Sequence, residues 1–440
     1  MRMTTTIEHF TQWARRTPQK PYTALMGLLS NPFDLLACFD EQPGNKAKGI
    51  DGVSKADYEV DVMERIKALS VTLRSLSYKP KPSRRVYIPK SNGKLRPLGI
   101  PSFEDRIVQL QMSKILQAIW EPEFRDCSYG FRPLRNAHQA LARLGEIITN
   151  ENTQWVVEAD IKGFFDNVNH DWLIRFLEYR IKDPVFLRIV KRFLKAGVME
   201  NGMLMHDDTG TPQGGVVSPV LANIYLHYVL DVWFEKKFAK TCRGNARLVR
   251  YADDYVACFN REEEAKRFMT EMQERLCQFG LEVEPSKTAL IRFGSQAPKE
   301  CVKDGNKRPA TFNFLGFTHY VGKSRKGRFV VGRKTQRERI AKKLKEVGQR
   351  LAKLRTQGGK AMMDYAKRHL VGHIAYYGVS GNAKQIRNYA YLISRVLFKW
   401  LNRRSQRRSF NWMKFSNKLK EWMPSLKLRH NLYPRPLWMT

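Results

Sequence analysis

Two aspartates, Asp253 and Asp254, stand side by side in the otherwise apolar run LVRYADDYVACF (248–259). Like charges a few ångström apart in a partly desolvated place repel, and one of the pair would tend to hold a proton. A divalent cation removes that conflict. Mg²⁺ takes oxygen ligands, one or two carboxylates plus substrate phosphates. Two such ions about 3.5–4 Å apart serve phosphoryl transfer on polynucleotides. That device needs a third carboxylate from another segment. Asp160, at the exit of the apolar run WVVEADI (155–161), is the obvious donor; Asp166 competes but falls in or after a turn. Taken alone, an Asp-Asp pair at a hairpin tip is more often a turn former, and an aspartate ending a strand is commonly a helix N-cap. The case for chemistry rests on other segments that fall in order around these three.

TPQGGVVSP (211–219) carries Gln213 before two glycines and an apolar helix. Glycines let backbone approach a nucleotide closely, and a side-chain amide can bond phosphate or sugar. The plain alternative is a loop before a helix with Pro at its first turn. IPKSNGKLRPLGIP (88–101) reads as a hairpin with Lys90, Lys94 and Arg96, either a triphosphate clamp or a solvated basic turn. SYGFRP (128–133) sets Arg132 among aromatics, where a guanidinium can be oriented for phosphate. Phe164 and Phe165, just past Asp160, could be core or could shape a sugar pocket.

The elements that must position these residues follow from periodicity and turn signals. Helices are expected at 55–77, 104–120, 135–149, 170–198, 219–240 and 261–279, and buried β structure at 155–161. The run 248–259 reads as a hairpin with carboxylates at its tip. LEVEPSKTALIRF (281–293) and FNFLGFTHYV (312–321) look like further strands. Composition shifts near residue 323: residues 323–360 hold 15 Lys/Arg against two acids, with a helical stripe Ile340, Leu344, Val347, Leu351, Leu354.

The whole chain has 440 residues, 78 Lys+Arg against 42 Asp+Glu, and a net charge of +36, with 42% hydrophobic residues. Real cores are therefore affordable, and the surface should collect polyanions, nucleic acid first and an anionic membrane surface second. No stretch approaches the roughly 18 apolar residues of a membrane span. The start MRMTTTIEHFTQW lacks a secretory apolar region, and the six cysteines are scattered without a CxxC pair. A soluble, intracellular protein with thiols in place of zinc ligands is the expectation.

The order of motifs YADD, ADIKGFFDNVNH, GTPQGG with SP, SYGFRP and FNFLGF resembles reverse transcriptases, most closely the bacterial group II intron-encoded reverse transcriptase/maturase family. The likeness runs from KGIDGVS (48–54) to the C-terminal basic region. It implies an α+β right-hand polymerase: an N-terminal extension over 1–54, fingers and palm over 55–325, a basic helical thumb over 326–364, and a helical maturase-like RNA-binding region over 365–440. It also implies that Asp160, Asp253 and Asp254 hold two Mg²⁺ ions, with Mn²⁺ an alternative. Phe165 matches the bulky residue that excludes a 2′-hydroxyl, and Gln213 the glutamine of the incoming-nucleotide pocket. Lys94, Arg96 and Arg132 fall in segments that hold the triphosphate, and Lys287 matches the lysine of the following motif. The partners implied are an RNA template, a DNA primer, dNTPs and a host group II intron RNA, in a bacterial cytoplasm. Here the resemblance departs from relatives that end in a Cys/His-bearing DNA endonuclease, and an endonuclease-lacking type is expected.

Residues 395–420 hold nine Lys/Arg and no acid, interleaved with Phe398, Trp400, Phe410, Trp412 and Phe415. Basic side chains bind phosphate and aromatics can stack on unpaired bases. Arg403, Arg404, Arg407 and Arg408 there, with Lys342 and Lys343 on the thumb helix, are the expected nucleic-acid contacts. Two other readings stay open: a free-standing relative used in DNA repair or phage defence, and a splicing cofactor with a vestigial polymerase site.

Overall fold

The computed structural model describes residues 6–17, 20–89, 95–200, 203–205, 209–210, 214–324, 326–404 and 410–434. Eleven strands among them form three sheets: β1 Ser83–Pro89, β2 Leu95–Ile100, β3 Trp155–Asp160, β4 Val198–Glu200, β5 Met203–Met205, β6 Ala246–Tyr251, β7 Asp254–Phe259, β8 Ala289–Arg292, β9 Phe312–Phe314, β10 Phe317–Lys323 and β11 Phe329–Thr335. The orders are β2-β1-β4-β5, β6-β7-β3-β8 and β11-β10-β9. This is the expected α+β architecture.

The central sheet, β6-β7-β3-β8, is antiparallel throughout. Its strands read as nearly continuous apolar runs because both faces are covered. Val157, Ala159, Tyr255, Ala257 and Phe259 face the helix Glu262–Gln278 through Phe268, Met272 and Leu276. Their neighbours Val156, Val249, Val256 and Cys258 face the helix Ala137–Asn150 and the β9–β11 sheet. Period-2 alternation thus divides one sheet between two cores. Asp160 and Asp254 belong to the second face by parity, at the strand ends where apolar cover stops.

The hairpin expected at 88–101 is present as β1 and β2, paired Pro89↔Leu95. Pro97 is tolerated because β2 is an edge strand, where a missing N–H breaks no ladder. Lys90 and Lys94 lie outside the described residues. Two expected helices, 55–77 and 170–198, are split, the first into Lys55–Glu59 and Val62–Arg74. His170–Glu178 and Pro184–Leu194 are separated where Asp183 caps the second helix and Pro184 opens it. The run expected as one helix over 219–240 is α-helical from Ser218 to Leu226, then widens into π-helical turns at His227–Asp231 and Phe234–Phe238.

The expected domain limits need correction. β10 and β11 pair over Phe317↔Thr335 to Lys323↔Phe329, so a break at 325/326 would cut a hairpin. The following helix starts at Arg337. The limit at 364/365 falls inside the helix Gly359–Tyr377. Helices Arg337–Leu354, Gly359–Tyr377, Ala383–Leu401 and Trp412–Trp422 close around one core that includes Val347, Leu351, Leu370, Tyr389, Leu397 and Phe415. These helices are therefore one packed body, and their described Lys and Arg side chains stay outside that core. All six cysteines are free. Among the described residues no helix is long and apolar enough to cross a membrane.

Phe268 is fully buried, with Phe238 and Phe259 ring centroids at 5.3 and 5.4 Å. Phe268→Ala should lower unfolding stability by about 3–5 kcal/mol through the cavity it leaves, read by chemical denaturation. Phe33→Ala, at a ring that is 73% exposed, should move it by less than about 0.5 kcal/mol.

Candidate active site

Three carboxylates meet at one end of the central sheet, and strand register brings them there. β3 ends on Asp160 and β7 begins on Asp254, and the two are direct cross-strand partners. Tyr251 pairs with Asp254 on the other side, which leaves Ala252 and Asp253 as a two-residue hairpin turn. Ala252 sits at φ +57°, a left-handed conformation that a residue with a Cβ adopts reluctantly.

The electrostatics are those of an incomplete site. Asp254 is pushed up to about 8, first by desolvation and then by the charges of Asp160 and Asp253. Asp253 is raised by the same burial and by Asp160, and Arg96 and Lys287 partly offset this. The Lys287 ammonium rests on the Asp160 carboxylate. The backbone N–H of Leu315 acts the other way and favours the charged form of Asp254. Leu315 and Gly316 both have positive φ, and together they make the tight β9–β10 turn. The Tyr376 hydroxyl, from the helix Gly359–Tyr377, donates to the Leu315 carbonyl at 2.9 Å. The β9–β10 turn thus lies between Asp254 and the helical body.

Among the described residues no three His, Cys, Asp or Glu side chains form a ready-made metal cage. The donor chemistry nonetheless fits a hard divalent cation. Three oxygen donors repel one another at the rim of the sheet, with an ammonium on one and an amide on another as provisional partners.

The fingers hairpin and the loop after β5 approach the same place. The positive charge of Arg96, on exposed β2, reaches Asp253. Phe165 is half-buried in the short turn Phe164–Asp166, edge-on to buried Phe164. Asp166 is exposed on that turn, past the end of β3. Gly210 packs against this turn: a Cβ there would come within 2.9 Å of the Asp166 carbonyl oxygen. Gly214, at φ +112°, packs so tightly on β2 that a Cβ would stand 2.5 Å from the Gly99 carbonyl oxygen. Gln213 and Lys94 lie outside the described residues.

Arg132 is a correction. Its side chain is 3% exposed and engages Glu121, while Nη1 donates to the Arg125 and Ser128 carbonyls at 2.8 Å. With its donors directed inward, Arg132 shapes the 125–132 loop and has no free fork for a triphosphate. Of the expected nucleic-acid contacts, the described ones lie on or beside the helices after Arg337. Lys342 and Lys343 are exposed on the helix Arg337–Leu354, where Lys343 pairs with Glu346 at 2.7 Å. Arg403 lies over Trp400, and Arg404 donates to the Leu401 carbonyl. Arg407 and Arg408 lie outside the described residues. Sequence reasoning missed Arg250 and Asp231, which are fully buried behind the Ala252–Asp253 turn. Their only signal was a charge at an inward position of an apolar strand and another inside an apolar helix.

An ordinary aspartate titrates at about 3.9, so folded Asp254 keeps a proton that the unfolded chain has released. Stability should therefore fall as pH rises from about 4 to about 8, and the full loss should be in place above that. Asp254→Asn is neutral throughout. Without divalent ions, its thermal midpoint should exceed that of the wild type by a margin that widens from pH 5 to pH 8.5. A constant margin would mean that Asp254 ionises normally.

Comparison with known proteins agrees with this geometry. Residues 88–319, just over half of the chain, match the family model for reverse transcriptase (RNA-dependent DNA polymerase). Protein YkfC of Escherichia coli is 36% identical over 275 residues, covering 56% of this chain and 72% of that one. The group II intron-encoded protein LtrA of Lactococcus lactis is 38% identical over 222 residues, covering 50% of this chain and 37% of that one. The chain thus spans well under half the length of LtrA. The structure of telomerase from Candida albicans aligns over 84% of this chain and 62% of that one, with a TM-score of 0.50 at 11% identity, a likeness of fold. With its carboxylates at the sheet end and its family model matched across fingers and palm, this chain belongs to the reverse transcriptase family of RNA-dependent DNA polymerases.

Proposed function

We propose that the chain extends a DNA primer along an RNA template, with Asp160, Asp253 and Asp254 holding two Mg²⁺ ions at the reacting phosphate. The observation that carries this reading is the direct pairing of Asp160 with Asp254 beside the Asp253 turn. In the reaction the primer 3′-oxygen attacks the α-phosphorus of a dNTP. A new P–O bond forms as the bond from the α-phosphorus to the bridging oxygen of the β-phosphate breaks, the hydroxyl proton passes to water, and pyrophosphate departs. Bound Mg²⁺ supplies charge neutralisation and a lowered hydroxyl pKa at that point. The residues of the chain position the reactants and complete the electrostatics. Arg96 brings positive charge over the turn for the triphosphate. Lys287, now on Asp160, is placed to exchange that carboxylate for a phosphate oxygen when the site fills. Phe165 gates the sugar 2′ position from its turn beside β3.

The same reading assigns a second task. The helical body after Arg337 carries the excess of basic residues around an intact core, and LtrA is by name encoded by a group II intron. We place a structured intron RNA on that body, where it would assist splicing and mobility. A chain with this charge belongs with nucleic acid in the cytoplasm.

Purified protein, an RNA template with an annealed DNA primer, dNTPs and Mg²⁺ should give extension, and chelation should stop it. Asp253→Ala should reduce the rate by about 10⁴-fold, the scale on which one member of a cooperating catalytic set is missed, while far-ultraviolet circular dichroism stays unchanged. Extension surviving that substitution would remove the two-metal assignment. Phe165→Val should shift the dNTP-to-rNTP preference toward rNTPs by about tenfold or more, the worth of one side chain's steric exclusion.

A further inference from the structure

Behind the catalytic turn, Arg250 on β6 is completely buried, and all five of its donors are used. Nε and Nη2 grip the two oxygens of Asp231 at 2.7 and 2.5 Å. Nη2 also donates to Ser128 Oγ at 2.8 Å. Nη1 donates to Asn223 Oδ1 at 3.1 Å and to the carbonyl of Ala252 at 3.0 Å. Asp231 is likewise fully buried and ends the first π-helical turn, an uncommon local geometry that often accompanies functional sites. Asn223 Nδ2 in turn donates to the Gly130 carbonyl at 2.7 Å. Gly130 meets the turn itself, since a Cβ there would fall 2.5 Å from the Ala252 nitrogen.

Burying an ion pair this completely contributes little net stability compared with apolar packing, so its value is better sought in the geometry it enforces. The geometry enforced here is that of one peptide. Ala252 is left-handed without glycine's freedom, and such residues persist where their surroundings over-determine them. The guanidinium pins the Ala252 carbonyl inward. A trans peptide points its N–H the opposite way, so the Asp253 N–H faces the site. Turning the 252–253 peptide would carry the Asp253 N–H away from the site and re-aim its carboxylate.

We infer that Arg250, held by Asp231, Asn223 and Ser128, is the positioning residue for Asp253, setting its carboxylate for the cation through the Ala252–Asp253 peptide. This rests on the reading of Asp253 as a cation ligand.

The test uses the full chain with three substitutions: Asn223→Ala, Ser128→Ala and Arg250→Lys. Arg250→Lys keeps the charge and loses the fork; the other two leave the buried ion pair in place. Mn²⁺ binding is followed by loss of the free-ion electron paramagnetic resonance signal, in the absence of nucleotide. Primer extension is measured against Mg²⁺ and dNTP concentration, and folding by thermal melting. Asn223→Ala and Arg250→Lys should weaken Mn²⁺ binding and lower kcat by roughly 10- to 100-fold, the worth of one or two charge-assisted hydrogen bonds. The KM for dNTP should stay within about twofold, as expected when an interaction acts on the reacting centre rather than on nucleotide binding. Ser128→Ala should show the same pattern more weakly. A purely structural role would instead lower the melting temperature and scale activity with the folded fraction, leaving Mn²⁺ affinity per folded molecule unchanged, and that result overturns the inference. If Arg250→Lys does not fold, Asn223→Ala and Ser128→Ala decide. Wild-type protein that neither binds Mn²⁺ nor extends a primer contradicts the underlying metal reading. Wild-type protein that does both while the variants match it contradicts only the positioning role.

Discussion

Mutual repulsion among three carboxylates is the constraint around which the rest of this molecule is arranged. Asp160, Asp253 and Asp254 are forced together by strand register, and desolvation makes their repulsion worse. Nothing in a fold's own stability rewards that arrangement. The molecule tolerates it through counter-charges that are easily exchanged: Lys287 on Asp160, Arg96 over Asp253, and a single amide on Asp254. A site so poised gains most from a divalent cation, which takes carboxylate oxygens as ligands.

Holding three like charges in place requires a stiff frame, and the central sheet supplies it by being buried on both faces. Helix Glu262–Gln278 seals one side, and helix Ala137–Asn150 with the β9–β11 sheet seals the other. The carboxylates occupy the rim of the second face, beside the β9–β10 turn. That turn contacts Asp254 on one side and Tyr376 on the other. The helical body that carries the basic residues is therefore joined, through the Tyr376 hydrogen bond, to the turn that flanks the carboxylates.

Much of this was legible in the residues. The hairpin bearing Asp253 and Asp254, and Asp160 at a strand exit, follow from apolar runs broken by charge. The fingers hairpin follows from its prolines and the SNGK turn. What could not be read was the destination of individual polar side chains. Arg132 looked like a phosphate clamp because an arginine among aromatics has that potential, yet Glu121 and two carbonyls claim it. Nothing local in the sequence distinguishes the two fates, since the partners come from the preceding loop's folded shape. Arg250 and Asp231 are 19 residues apart and meet only through the packing of a strand against a helix that ends its first π-helical turn on Asp231. The domain limits near 325 and 365 followed composition, whereas the structure follows hydrogen bonding and shared core: β10 and β11 pair across the first, and one helix spans the second.

The most direct measurement is to find where a bound divalent ion sits. Fe²⁺ substituted for Mg²⁺, with ascorbate and peroxide, generates hydroxyl radicals that cut the backbone beside the ion, and the fragments can be mapped by mass spectrometry. The carboxylates predict two cuts from one site, near residue 160 and near residues 252–254, both suppressed by excess Mg²⁺. Cleavage at only one of these segments, or chiefly elsewhere in the chain, would contradict a shared cation site.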